Sequence, residues 1–484
     1  MILRDLIDAC DVISLRGNND VEVTSITSDS RAVVPGSLFI AVEGIFTDGH
    51  AYIGKAIEQG AVAVVYDKPM IEEYFSRVAY VQVKHSAVAL ARIASAWYGN
   101  PSSRLKLVGV TGTNGKTTVA TLLYDTFRHL GYPSGLLSTV ANYVDGERHA
   151  TTHTTLDPIS LNDYLRKMVD AGCEYAFMEV SSHAIHQKRV YGLRFAGGIF
   201  TNLTQDHLDY HKNMLEYRNV KKSFFDDLPA DAFALTNIDD KNGAVMLQNT
   251  KASQFTYSVK NMADFKGRIF EKHFDGTDIE INGKELTVQF VGTFNVYNLL
   301  AVYGAGRLLG LNEEELLRTL TWLKPVAGRF QTMRSKKDYT VIVDYAHTPD
   351  ALSNVLTAID GALKKKGRII TVVGCGGNRD RTKRPIMARE AVQLSDKTVF
   401  TSDNPRFEEP EDILKDMLEG LTEEQKSNAL TIVDRREAIK TACALAQPGD
   451  VILIAGKGHE DYQEVKGVKH HFDDKEEVEK IIKS

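Results

Sequence analysis

Short apolar runs alternate with amphipathic stretches along most of the chain. "SLFIAV" (37–42) and "AVAVVY" (61–66) have the length and content of buried strands. Between them "YIGKAIEQG" (52–60) has helical spacing and ends on glycine, a helix C-cap signal. "LKLVGV" (105–110) predicts another buried strand, and "TVATLLYDTFRHLG" (118–131) an amphipathic helix closed by Gly131. Strand-like runs recur at "YAFMEV" (175–180) and "GGIFTNL" (197–203), and "FNVYNLLAVYGAGRLLG" (294–310) reads as a helix. The last third has its own rhythm, with strands at "TVIVDY" (340–345), "RIITVVG" (368–374), "KTVFTS" (397–402) and "DVILIAG" (450–456) and helices between them. Such alternation predicts an α/β fold on mainly parallel sheets.

Two stretches break the rhythm. "YGNPSSR" (98–104) is polar and turn-rich, and "LKPVAGRF" (323–330) interrupts the helical pattern. They divide the 484 residues into 1–100, 101–330 and 331–484, a division that suits the chain's length. The expectation is a central P-loop domain on a mainly parallel sheet, flanked by a small N-terminal α/β domain and a Rossmann-like C-terminal domain. The sequence shows no repeat and no low-complexity segment.

Composition narrows the classes. At 43% hydrophobic and 25% charged, the chain reads as ordinary globular protein. Lys plus Arg number 58 against 64 Asp plus Glu, a net charge of -6, which leaves no electrostatic footprint for nucleic acid. The run Lys364–Lys366 reads as a solvated helix end. Cys10, Cys173, Cys375 and Cys443 are scattered and form no C-x-x-C pair, so free thiols in a reducing compartment are expected. No apolar run approaches the roughly 18 residues of a membrane span, and "MILRDLIDACD" lacks the apolar core of a secretion signal. A cytoplasmic, soluble, monomeric protein is expected, with no membrane partner.

Chemistry first appears in "GVTGTNGKTT" (109–118). The usual phosphate-loop spacing, G-x-x-x-x-G-K-[ST], would place a glycine at position 110. Val110 stands there, with Gly109 one residue early and Gly112 two late. The context still fits, with a strand before and a helix after. That arrangement aims backbone N–H groups and the positive end of a helix at one anion. Lys116 can reach terminal phosphates, and the Thr117 hydroxyl can serve Mg²⁺. The plain alternative is a βα turn rich in small residues. "MEVSSH" (178–183) puts Glu179 at a strand's carboxyl end, the usual ligand edge of a parallel sheet, although a glutamate there is often merely at the surface. "TNLTQDHLDYHKN" (201–213) carries Asn202, Asp206, His207, Asp209 and His211. It reads as a polar loop with two capping aspartates or as a metal cluster, and beside a phosphate loop Mg²⁺ is a better guess than zinc.

"GTNGKTT", "MEVSSH", "TNLTQDHLDYH", "FNVYN", "GRFQ", "DYAHTPDAL" and "GKGHEDYQ" occur in this order over most of the chain. Together they resemble the Mur ligase family, the ATP-dependent amide ligases of peptidoglycan precursor synthesis, most closely its tripeptide-forming members. That family's phosphate loop has the short form G-T-N-G-K-T, so Val110 is no defect and Gly112 takes the early-glycine role. The resemblance implies an acyl phosphate made by ATP on a UDP-linked peptide, then attack by an amino acid's amine.

Residue by residue, the resemblance implies ATP binding by Gly112, Thr113, Asn114, Gly115, Lys116, Thr117 and Thr118. Asn295 and Asn298 would lie on the adenine side, and Arg329, Asp344 and His347 would close over the nucleotide. It implies metal binding by Thr117, Glu179 and Lys221, with catalytic roles for Lys116, Glu179, His207 and Lys221. Lys221 matches a lysine that the family carbamylates, with Lys222 as the alternative and a plain surface lysine as the bland reading. Ser28, Ser30, Thr154, Thr155, Ser181, Gln187 and Arg189 match positions for the UDP-linked substrate, while His153 replaces the family's asparagine. Arg379, Asp403, Asn404, Pro405, Arg406, Gly456 and Glu460 match the incoming amino acid's pocket, and Asn378 departs from the family's aspartate.

The "DNPR" form (403–406) resembles members that add meso-diaminopimelate. An arginine there can bind the distal carboxylate that lysine lacks, although Arg406 could simply pair with Glu408 or Glu409. ATP, Mg²⁺, UDP-N-acetylmuramoyl-dipeptide and meso-diaminopimelate are thus the implied ligands. A lysine-adding homologue, a folylpolyglutamate-type ligase and a P-loop NTPase without covalent product remain rivals. The last would hydrolyse ATP without added peptide or amino acid.

Overall fold

The structure is a computed structural model that describes residues 1–44, 47–69, 77–151, 154–273, 275–363 and 366–483. His153, Lys364 and Lys365 lie outside the described residues.

Three large sheets carry the chain, beside a two-stranded antiparallel ribbon of Tyr462–Val465 and Val468–His471. The first runs Val12–Arg16, Ala79–Val83, Ala63–Tyr66, Ser37–Ile40, Ser25–Thr27, and only its Val12–Arg16/Ala79–Val83 pair is antiparallel. The second has eleven strands. Its parallel centre runs Ser134–Leu137, Tyr175–Glu179, Lys106–Thr111, Gly197–Phe200, Phe233–Asn237, Ser253–Ser258. Phe265–Lys272 adds one more parallel strand beside Ser253–Ser258, and antiparallel strands finish both sides: Asn142–Val144 with Glu147–His149, and Thr277–Ile281 with Lys284–Val288. The third runs Gln331–Arg334, Thr340–Asp344, Val451–Ala455, Ile369–Val373, Lys397–Phe400, Ala429–Thr431, with only Gln331–Arg334 antiparallel.

The continuous apolar runs follow from burial on both faces. On one face of the central sheet Val108 and Val110 pack with residues of the helices Lys116–His129 and Thr293–Leu308. On the other, Leu107 packs with residues of Pro158–Asp170 and Met214–Asp226. The first sheet docks onto this body through helix Ser86–Trp97, which lies on Pro158–Asp170, and Arg92 donates to the Tyr191 hydroxyl at 3.3 Å. Among the described residues no helix is long and apolar enough to cross a membrane. All four cysteines are free.

The parallel strands fix where ligands can meet. The phosphate loop, Glu179, Asn202 and Asn237 all end or follow strands at one carboxyl edge of the central sheet. Asp344 and the loops after Ile369–Val373, Lys397–Phe400 and Val451–Ala455 occupy the same kind of edge on the third sheet. The two edges face each other.

Candidate functional site between two sheet edges

The phosphate loop takes a shape that needs its glycines. Gly112 has φ 152°, and a Cβ there would lie 1.9 Å from Thr201 Oγ1. Gly115 has φ 87°, and its Cβ would lie 2.5 Å from Asn298 Oδ1. Asn202 templates the loop by accepting from the N–H of Thr113 at its backbone oxygen and of Asn114 at its side chain, both at 2.9 Å. Helix Lys116–His129 starts directly after it and leaves first-turn N–H groups at the cleft. Lys116 Nζ folds back onto the carbonyls of Gly112 at 3.0 Å and Thr113 at 2.9 Å. Its pKa is lowered by burial, which Glu179 and Asp206 oppose.

Glu179 is a buried strand end rather than a surface one. Its Oε1 accepts from the Thr139 N–H at 2.7 Å and hydroxyl at 2.9 Å. Lys221, on helix Met214–Asp226, is 1% exposed and donates to the Gly112 carbonyl at 2.9 Å. Burial and the charge of Lys116 push its pKa well below the usual lysine range. The adjacent Lys222 is instead paired with Asp226 at 2.6 Å, and this separates the two lysines that spacing left open. In the loop that precedes this helix His211 is buried and Asp209 exposed. His207 has φ 56°, and burial lowers its pKa to about 3. Asp206 is buried, not a surface capping residue. Among the described residues the set that brings three His, Cys or carboxylate atoms within 4.8 Å is Glu271, His273 and Asp278 in the outer hairpin, so this loop forms no zinc cluster.

The two edges are bridged. Arg329 NH2 donates to Thr117 Oγ1 at 3.0 Å, and Asn114 Nδ2 donates to Asp350 Oδ2 at 3.0 Å. Asp344 ties the turn before the third sheet. Its carboxylate accepts from the N–H of Phe330 at 2.6 Å and of Ala346 at 2.8 Å, and burial raises its pKa. Between the edges lies a cavity of about 360 Å³ whose walls include Asn114, Thr118, Asn295, Asn298, Arg329 and Asp344. His347 lines it too.

A second group sits beside Glu179. Thr155 Oγ1 donates to the Glu179 carbonyl at 2.9 Å and lies 3.3 Å from Ser181 Oγ. Arg189 donates to the Thr155 carbonyl at 2.9 Å and to Gln187 Oε1 at 2.6 Å, and Thr154 meets Thr139 at 3.3 Å. Ser28 is exposed and Ser30 buried on the first sheet's loop, apart from this group in their hydrogen bonding.

On the third sheet Asn404 is the junction. Its Nδ2 donates to Glu460 at 2.8 Å, and its Oδ1 accepts from Lys457 at 3.2 Å and from the Glu464 N–H at 2.9 Å. Burial works against the charge of Asp403, yet Lys457 and Arg435 hold its pKa low; burial and Asp403 raise that of Glu460. Gly456 passes so close that a Cβ would meet Asp403 Oδ2 at 2.5 Å. Pro405 backs directly onto Gly377, where a Cβ would lie 1.9 Å from the Pro405 oxygen. Arg406 donates to the Gly377 carbonyl at 2.8 Å and lies 3.5 Å from Glu464. It pairs with neither Glu408, which binds Arg384 at 2.8 Å, nor Glu409, which binds Lys466 at 3.3 Å. Asn378 lies in the same layer, with its N–H on Glu408 and its Oδ1 accepting from Phe407. Arg379, in the next position, lies close enough for its charge to act on His183 across the cleft.

Three family models match: "Mur ligase family, catalytic domain" over 22–98, "Mur ligase middle domain" over 110–306, and "Mur ligase, glutamate ligase domain" over 328–458. A protein of Parabacteroides distasonis named UDP-N-acetylmuramoyl-L-alanyl-D-glutamate--2,6-diaminopimelate ligase is 62% identical over 100% of this chain and 99% of its own. The chain belongs to the Mur ligase family. A Bacillus licheniformis protein of the same name is 41% identical over 97% of each chain. A solved structure titled as that ligase matches with TM-score 0.70 at 31% identity, covering 100% of this chain and 99% of the other. A Thermotoga maritima MurF ligase in complex with ADP shares the fold, with TM-score 0.62 at 20% identity over 90% of this chain and 94% of its own.

In this Mur ligase the sequence reading passed over Thr139 and Asp350. Thr139 stands in no recognised motif. Asp350 was visible within "DYAHTPDAL", but its partner Asn114 lies 236 positions away in sequence.

Proposed function

We propose that the protein joins meso-diaminopimelate to UDP-N-acetylmuramoyl-L-alanyl-D-glutamate at the expense of ATP, in cytoplasmic peptidoglycan precursor synthesis. Residues 1–100 would hold the uridine end through Ser28 and Ser30, 101–330 the nucleotide and the acyl end, and 331–484 the amine donor. The reading is carried by the "GTNGKTT" loop facing the third sheet's ligand edge, which also bears "DNPR", with Arg329 on Thr117 and Asn114 on Asp350 bridging the two edges.

The chemistry suits that layout. A carboxylate is a poor acyl donor. Its oxygen attacks the γ-phosphorus of ATP, the bond to ADP breaks, and the product is an acyl phosphate. The donor's amine then attacks the carbonyl carbon, phosphate leaves with the C–O bond pair, and the nitrogen sheds a proton. Positioning and neutralisation of phosphate charge supply most of the acceleration. Lys116 brings charge to the terminal phosphates, and Arg329 brings it from the third sheet's side.

The Thr117 hydroxyl and Glu179 carboxylate are hard oxygen donors that fit Mg²⁺, a cation that retains waters and phosphate oxygens. Bound there, it would neutralise charge on the transferring phosphate. Lys221 fits that set only as a carbamate. Its buried, readily neutral amine is the form that adds CO₂, and a crystal of the nucleotide complex should show the carbamate on Nζ.

The deciding assay measures ADP and UDP-tripeptide with all substrates, then with each omitted. Product should require all three, and Lys116→Ala should lose about 10²–10³-fold, the scale for removing one charge-stabilising group. ATP turnover indifferent to peptide and amino acid would instead indicate an NTPase.

A further inference from the structure

Asp206 has no task in the chemistry above, yet its surroundings are unusual. It is 5% exposed, and its Oδ1 accepts from the His207 N–H at 2.9 Å. Around the carboxylate stand His207 Nε2 at 3.4 Å, Lys383 Nζ at 3.6 Å and His347 Nε2 at 3.8 Å. The first belongs to the central sheet's loop. His347 follows the third sheet's strand Thr340–Asp344, and Lys383 opens helix Lys383–Gln393 directly after the loop that carries Arg379.

Burial lowers the pKa of His207 to about 3 and of His347 to about 4, so both rings are neutral near pH 7. Lys383 is therefore the charged partner from the third sheet, and its side chain is as buried as that of Asp206. Lys116 also lies within the carboxylate's field. One acid thus faces cations of both sheet edges. Gln205, the preceding residue, donates to Thr382 at 3.3 Å and adds a second tie at the same seam.

We propose that Asp206 is a positioning residue that holds the amine-donor pocket over the phosphate loop through Lys383 and His347. The proposal rests on the ligase reading. A buried pair is worth its desolvation only while intact, and loss of one partner strands the other charge in a dry site. When the two sheet edges separate, water reaches both groups and the strain disappears. Substitution therefore penalises the closed arrangement more than the fold. Attack on an acyl phosphate needs atoms about 3–3.5 Å apart, so a loosened seam costs rate.

The test uses full-length Asp206→Asn, Lys383→Met and the double variant. Each single variant should lower kcat/KM for diaminopimelate at least about 10-fold, with the affinity for a non-hydrolysable ATP analogue little changed. Asp206→Glu, which keeps the charge, should recover part of the loss. The double variant should be no worse than the worse single, because the two act as one unit. Small-angle X-ray scattering should show the parent contracting with the analogue and both singles contracting less. Losses that multiply in the double, or a single with parental kcat/KM, would overturn the proposal. If the parent makes no tripeptide, the ligase reading fails and scattering decides alone: equal contraction in parent and singles rejects the role of Asp206.

Discussion

At the scale of single residues, the cleft separates groups that the sequence cannot tell apart. Arg406 is the residue on which donor choice should turn. Its guanidinium is held by Gly377 and Glu464, and its neighbours Glu408 and Glu409 are engaged elsewhere. A distal carboxylate would receive paired, charge-assisted hydrogen bonds there, whereas lysine brings no carboxylate for the arginine to bind. The parent should prefer diaminopimelate over L-lysine by about 10⁴ in kcat/KM, the margin for polar recognition. Arg406→Ala should lose most of that preference, and unchanged selectivity would remove the residue from this role. Legibility was uneven here. Lys116 and Thr117 announce themselves by the G-K-T triplet between a strand and a helix, whereas the early glycine sits off the usual spacing. Lys221 and Lys222 do not announce themselves, because only their partners in the fold assign one to the loop and the other to Asp226. Asp206 looked like a capping residue because a "DH" pair in a polar loop reads the same in or out of water.

At the scale of elements, strands buried on both faces were readable and edge strands were not. "LKLVGV" and "DVILIAG" are apolar at nearly every position, as two covered faces require. Lys284–Val288, at the central sheet's edge, has one buried residue in five positions, too short a pattern to stand out. The loops of the donor pocket depend on one carboxylate. Glu408 accepts from Arg384 through both oxygens and from the Asn378 N–H, tying the layer at 376–378 to the "DNPR" loop. Arg384 holds its pKa down to about 2, from an ordinary 4.5. A depressed carboxylate stabilises the fold fully above its unfolded value, and that contribution drains away as pH falls from about 4.5 towards 2. Thermal unfolding of the parent and Glu408→Gln should therefore differ most near pH 7 and converge at low pH. A gap independent of pH would mean that the charge plays no part.

At the scale of the whole molecule, each sheet has its own apolar core, and the seams mix polar ties with apolar contacts, Ile159 on the first sheet's core and Val291 within the third's. Length and the two pattern breaks foretold several units. Which edges would face each other was invisible, because the bridging pairs lie hundreds of residues apart. Separate cores argue against one all-or-none transition. Of the two tryptophans, Trp97 packs on the first sheet's core and Trp322 is exposed on the central body. In guanidinium, tryptophan emission should follow the first sheet while far-ultraviolet dichroism follows all three. The two curves should not coincide. Superimposable transitions would show that the seams couple the cores into one cooperative body.

Arg406 carries a φ of 53°, a backbone posture in which glycine is at ease and other L-residues are strained by about 1–2 kcal/mol. A lineage under selection for robustness alone would drift towards glycine at this position. It would gain a sturdier turn and lose its means of telling one diamine from another. If Arg406 reads the donor as proposed, position 406 sets heat tolerance against discernment, and the arginine there keeps discernment.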